Sequence, residues 1–119
     1  MEQEKIFDVK KHLEAGEYLA TIEDVVYRKT GEFEYIDIVF LVREGDGYFI
    51  KAGYPANIST ATLLGNLLVQ AGIDLAKKKH VSMNEIRKCL KGRDVRVVVT
   101  IDEDGFYKIE RECVFFVDK

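Results

Sequence analysis

Tyr35, Phe49 and Phe33, with Arg28, Lys29 and Lys51 close to them in the chain pattern, are the side chains of this sequence most suited to chemistry, and that chemistry is non-covalent. Aromatic rings held on a surface stack on nucleobases at ~1–3 kcal/mol per base, and flanking cations neutralise phosphate. Covalent chemistry has no comparable constellation. There is no glycine-rich phosphate loop, no GxSxG elbow, no HExxH and no CxxC. "DEDG" at 102–105 begins like a calcium loop but lacks the third ligand spacing and the distal glutamate, so it reads as a hairpin turn. Glu110 and Glu112 share strand parity with Lys108, which suits a solvated charged face better than an acid–base pair. Cys89 and Cys113 are far apart, and His12 and His80 stand at no ligand spacing to them. The expectation is a non-enzyme without metal or cofactor, its two cysteines free thiols.

Something must present those rings, and the hydrophobic pattern says what. From Glu17 the chain alternates with period two: Tyr18, Ala20 and Ile22 share a face in the first run. Ile36, Ile38, Phe40 and Val42 do so in the second, and "GDG" at 45–47 turns the chain into a third run, "YFIKAGY". Pro55 has no N–H for a ladder and ends that strand. Ser59 is the expected N-cap of a helix whose Leu64, Leu67, Leu68 and Ala71 form one stripe and which Gly72 stops. A basic loop, Lys77 to Lys79, reads as solvated. A second helix starts with the capping box Ser82/Glu85 and ends at Gly92, with Ile86, Cys89 and Leu90 as its apolar side. Val95, Val97, Val99 and Ile101 then share a strand face, and "FYKIERECVFFV" is the fifth strand.

The order is β-β-β-α-α-β-β. It implies a mainly β protein with a helical insertion, a five-stranded OB-fold barrel in which the leucine stripe plugs one end and Gly65 permits close approach. An open α+β sheet with helices on one face is the rival architecture. With the even positions of the second run inward, Phe33, Tyr35, Val39 and Leu41 face out. If Tyr48 and Ile50 fill the core, Phe49 and Lys51 join Tyr35 outside, with Arg28 and Lys29 at the end of the first strand. Arg43 and Arg96 extend the groove if their strands place them on the same side.

The 119 residues suit one domain at 17–119 behind an N-terminal arm, 1–16, that is flexible or loosely pinned by Ile6, Phe7 and Val9. With 47% hydrophobic residues, the chain folds without a staple. A net charge of -3 excludes coating nucleic acid by bulk positive charge, though not a local basic groove. Residues 1–16 contain no apolar leader, and no apolar run nears the ~20 residues of a membrane span. The expected location is the cytoplasm, a host's cytoplasm if the source is viral.

Five segments, "GEYLATIEDV", "EYIDIVFLV", "NISTATLLGNLLVQAGI", "LKGRDVRVVV" and "DEDGFYKIE", resemble the small OB-fold proteins of bacteriophages and mobile elements that bind single-stranded DNA near replication or recombination genes. The likeness runs from Gly16 to Val117 and rests on a glycine-led first strand, an N-x-S strand-to-helix junction, L-x-G-R-x-V entering the fourth strand and D-G before the fifth. It implies single-stranded DNA, or RNA, as partner. The acidic "DEDG" departs from a clasping loop and favours contact through the sheet face and the first loop. The alternative function is a protein-interaction or assembly module that uses the same apolar outer face, including self-association, and the two are compatible.

Overall fold

The computed structural model describes residues 4–7 and 13–117. Six strands form one antiparallel sheet: β1 (Gly16–Thr30), β2 (Phe33–Val42), β3 (Tyr48–Pro55), β4 (Asp94–Ile101), β5 (Tyr107–Ile109) and β6 (Phe115–Phe116). Two helices, α1 (Leu63–Ala71) and α2 (Met83–Leu90), lie between β3 and β4 with a single 3-10 turn, Leu75–Lys77, between them. The pairing order is β3-β2-β1-β4-β5, and β6 also pairs with β4.

β1 is long enough to serve two partners. Its first part, 16–21, pairs with β4, and its later part, 20–30, pairs with β2. The register shifts between Ile22 and Asp24, where Glu23 is the extra residue. A bulge of this kind bends a strand and raises its twist. It also flips parity: Ala20 and Ile22 are buried before it, and Val25 after it. The chain leaving α2 fastens to the same place, since Ile22 N–H donates to Arg93 O at 2.9 Å and Gly92 N–H to Ile22 O at 2.7 Å.

The alternation read from the sequence is the observed core. Ile36, Ile38, Phe40, Val42, Val95, Val97 and Val99 are buried, with Ile50, Ala52 and Tyr54 from β3. Ile101 shares their parity but is exposed, because it is the last residue of β4. Leu64, Leu67 and Leu68 of α1 and Ile86 and Leu90 of α2 join this one cluster.

The helix starts later than Ser59. Thr62 is the N-cap, accepting from Gly65 N–H at 3.1 Å, and its hydroxyl also bonds Ser59 within the preceding turn. Gly72 ends it as expected, with Ile73 N–H reaching back to Leu68 O. The Ser82/Glu85 capping box forms, and α2 stops one residue before Lys91, with Gly92 just beyond.

The last strand is not continuous. After β5 the chain turns at 110–113, with Cys113 N–H bonding Glu110 O, before β6 rejoins the start of β4. This detour carries Arg111 to β3: its Nη1 donates to Gly53 O at 3.0 Å, and Tyr54 Oη donates to Arg111 O at 3.3 Å. At the other end of β3, the Tyr48 and Tyr107 rings meet edge to face at 5.9 Å. The edges β3 and β5 thus approach each other through side chains, but no ladder joins them and the sheet is not closed.

Leu13 is buried, and its N–H donates to Tyr107 Oη at 2.9 Å, so the chain docks on the body before β1 begins. Ile6 and Phe7 do not pin the arm, since both are largely exposed; Val9 lies outside the described residues. The "DEDG" turn forms as read, with Asp102 Oδ1 accepting from the N–H groups of Asp104 and Phe106. Cys89 and Cys113 are unpaired thiols. Among the described residues no helix is long and apolar enough to cross a membrane.

Two outcomes follow from this packing. A Cβ at Gly65 would lie 1.6 Å from Ser59 O, a backbone atom, so Gly65→Ala must displace the 59–62 turn and its cap. We expect a loss of about 2–3 kcal/mol in urea unfolding. Burial pushes the Tyr54 phenol far above the ordinary tyrosine range. The folded state therefore keeps a proton that the unfolded chain releases above about pH 10, and stability falls as pH rises beyond that value. Tyr54→Phe should flatten that alkaline decline in a series of melts.

Candidate nucleic-acid interface

The outer face of β1, β2 and β3 is a grid set by register. Arg28, Tyr35 and Pro55 form one row; Val26, Asp37 and Gly53 the next; Val39 and Lys51 follow, then Leu41 and Phe49. Tyr35, Phe49 and Lys51 therefore share a face, as the alternation predicts. Phe49 is 71% exposed and Phe33, beside the Gly31–Glu32 hairpin tip, 68% exposed, while Tyr35 is half-buried.

The reason for that difference is Asp37, the buried charged residue of this face and a member of the site that alternation alone did not flag. It faces Gly53 across the ladder, where a side chain would crowd it: a Cβ there would stand 3.0 Å from Asp37 Oδ1 and 3.3 Å from Arg28 Nη2. The space admits the Arg28 guanidinium, which grips Asp37 with Nε–Oδ2 at 2.7 Å and Nη2–Oδ1 at 3.2 Å. Arg28 Nη1 also donates to Thr30 Oγ1, and the guanidinium carbon sits 4.5 Å from the centre of the Tyr35 ring. Bidentate bonding fixes the plane of the guanidinium, and the fixed cation holds one face of Tyr35. The hydrogen bond to Asp37 raises the Arg28 pKa further, so the charge is permanent.

This alters the role expected for Arg28. Its charge is matched by Asp37, which makes it a support for Tyr35 rather than a cation available to phosphate. Lys29 is corrected more sharply. Neighbouring strand residues point to opposite faces, and Lys29 pairs with Glu34 on the side away from Arg28 and Tyr35. Arg43 stands at the Phe49 end of the face but turns over β1, bonding Asp94 at 2.7 Å and the Thr21 hydroxyl. Arg96 is exposed on the same side of the sheet, on β4 between Leu19 and Phe115, so it lies beyond β1 from the Phe49 row. Lys51 remains, with Nζ 4.0 Å from Asp37 Oδ2. In the basic loop, Lys77 and Lys78 pair with Asp74 and Glu85.

Two further cations adjoin this face from β5 and the turn after it. Lys108 and Arg111 line the gap beside Lys51 and Gly53. No period in the sequence signals Arg111, because its position depends on the turn at 110–113. Phe106, next to Tyr107 in the chain, is also an exposed aromatic side chain. Among the described residues no cluster of three or more His, Cys, Asp and Glu is placed to hold a metal ion.

Asp37→Asn tests the support. It removes the charge partner of a half-exposed arginine, and we expect a loss of about 1–3 kcal/mol in thermal or urea unfolding. Tyr35 amide and ring resonances should shift, while those of α2 stay in place. No protein-family model matches the chain, and no curated protein sequence does either.

Proposed function

We propose that the chain is a non-catalytic binder of single-stranded DNA, with RNA as the related ligand, acting in replication or recombination. The observation that carries this reading is the pair of outward aromatics, Tyr35 and Phe49, on one sheet face with Lys51 between their rows. Bases stack on Phe49 and on the open side of Tyr35, whose other side is held by Arg28. The first hairpin, with Phe33 at its tip, flanks the path. Contacts of this kind are tolerant of sequence and sensitive to salt.

The finer architecture belongs to the same proposal. A central β1 shared by β2 and β4, a helical insertion between β3 and β4, and β3 and β5 approaching edge to edge support an OB-type barrel left open at that seam. The motif likeness to bacteriophage and mobile-element proteins supports DNA as the ligand and the cytoplasm of a host as the setting. One observation favours a second reading. Val26, Val39, Leu41 and Phe49 give the same face a contiguous apolar component, which fits an assembly surface between copies or with a partner protein.

The test is fluorescence anisotropy with a labelled single-stranded oligonucleotide at low and moderate salt, with duplex competitor. Salt-dependent preference for the single strand is expected. Tyr35→Ala and Phe49→Ala should each weaken binding roughly 5- to 150-fold, the equivalent of one lost stacking contact. Absence of binding even at low salt would overturn the proposal and leave the assembly reading in its place.

A further inference from the structure

We propose that the open seam between β3 and β5 is a phosphate seat, in which Lys51, Lys108 and Arg111 hold the backbone of the single strand while its bases lie on the adjoining β2–β3 face. The inference rests on the single-strand reading above and adds the position of the phosphates, which that reading leaves without enough cations once Arg28 is bound to Asp37 and Lys29 faces away.

The seam is a groove of about 290 Å³ lined by Lys51, Ala52, Gly53, Lys108, Ile109 and Arg111. No carboxylate is among these residues, although the whole chain carries a net charge of -3. The nearest acids hold the two lysines only in long ion pairs. Lys51 Nζ is 4.0 Å from Asp37, and Lys108 Nζ is 3.7 Å from Asp102. Both separations exceed the roughly 2.7–2.9 Å of a charge-assisted hydrogen bond, and Asp37 is already gripped by Arg28 at 2.7 Å. Glu110 turns over β4 to Thr100, and Glu112 lines a second cavity, against α1, which Arg111 also borders. Arg111 is held in place by its Nη1 bond to Gly53 O, so its guanidinium needs no reordering to meet an anion. Two strand edges that form no ladder with each other border the groove, and sheet edges form concavities that suit anions. Phe49 stands near one end of β3, and Tyr35 pairs with Pro55 at the other, so the groove runs alongside the stacking residues.

The experiment measures oligonucleotide binding by the full chain across a salt series. For a single strand, the slope of log affinity against log salt is about -0.7 per phosphate contact. Lys108→Gln and Lys51→Gln, both exposed and harmless to the core, should each make the slope shallower by about 0.7; Lys108→Gln with Arg111→Gln should do so by about 1.4. Lys77→Gln with Lys79→Gln should leave it unchanged. Inorganic polyphosphate, which has no bases, should compete with the oligonucleotide on the wild type and bind the Tyr35→Ala/Phe49→Ala variant undiminished. Oligonucleotide binding whose slope ignores both Lys51→Gln and Lys108→Gln would overturn the seam while leaving the stacking face intact. Polyphosphate binding weakened by Lys108→Gln, with no oligonucleotide binding, would instead support the seat and overturn the single-strand reading.

Discussion

The bend in β1 is the constraint on which the other features depend. A strand of 15 residues sits at the centre of the sheet and must hold β4 with one part and β2 with the other. It does so by inserting Glu23 as an extra residue, so that buried positions change parity between Ile22 and Val25. The backbone groups of Ile22 at that bend are taken up by Gly92 and Arg93, which end the helical insertion. Sheet curvature, core alternation and the return of the chain from α2 are therefore tied at a single place. A flat β1 would leave β3 and β5 far apart, and the outer face would have no neighbouring groove.

Curling the sheet creates an electrostatic problem that the outer face resolves locally. Asp37 is buried on a face that is otherwise half open, and a carboxylate removed from water needs a matched donor. Arg28 supplies two parallel hydrogen bonds, and Gly53 provides the room for them. The consequence reaches the aromatic surface, because the same guanidinium holds Tyr35. A ring held in one orientation loses less entropy on stacking than a mobile one. The charge that Arg28 would bring to a phosphate is matched by Asp37, and the cations that line the seam are Lys51, Lys108 and Arg111.

Much of this was legible from residue types and spacing. Ile36, Ile38, Phe40 and Val42 have one buried face because a strand has a side-chain period of two, and this also makes Tyr35 outward; the alternation of the third strand left Phe49 open, and burial of Ile50 decides it. The Ser82/Glu85 cap and the Gly72 stop are local, made within a few residues of themselves, and both formed. The N-cap of α1 is not local in the same sense: Ser59 and Thr62 are both capping types, and only the turn between them decides which one accepts from the helix. The fifth run reads as one continuous strand but forms two, β5 and β6. No glycine or proline marks the break, although Glu110 to Cys113 form a turn.

By itself the sequence determined the element types, the burial parity of β2 and of β4 as far as Val99, and the sparsity of chemical signatures, since these depend on neighbours one to four residues away. The tertiary structure decided which charges are free. Arg28 and Lys29 are adjacent and alike in sequence, yet one supports Tyr35 against Asp37 and the other lies on the opposite face. Arg111 comes to lie beside Gly53 across 58 residues of chain, which no local pattern encodes. The physical reason is range. Backbone periodicity is set by bonded geometry and repeats without reference to the rest of the chain, whereas the pairing of a charge depends on distance in space, and that distance exists only once the sheet has curled.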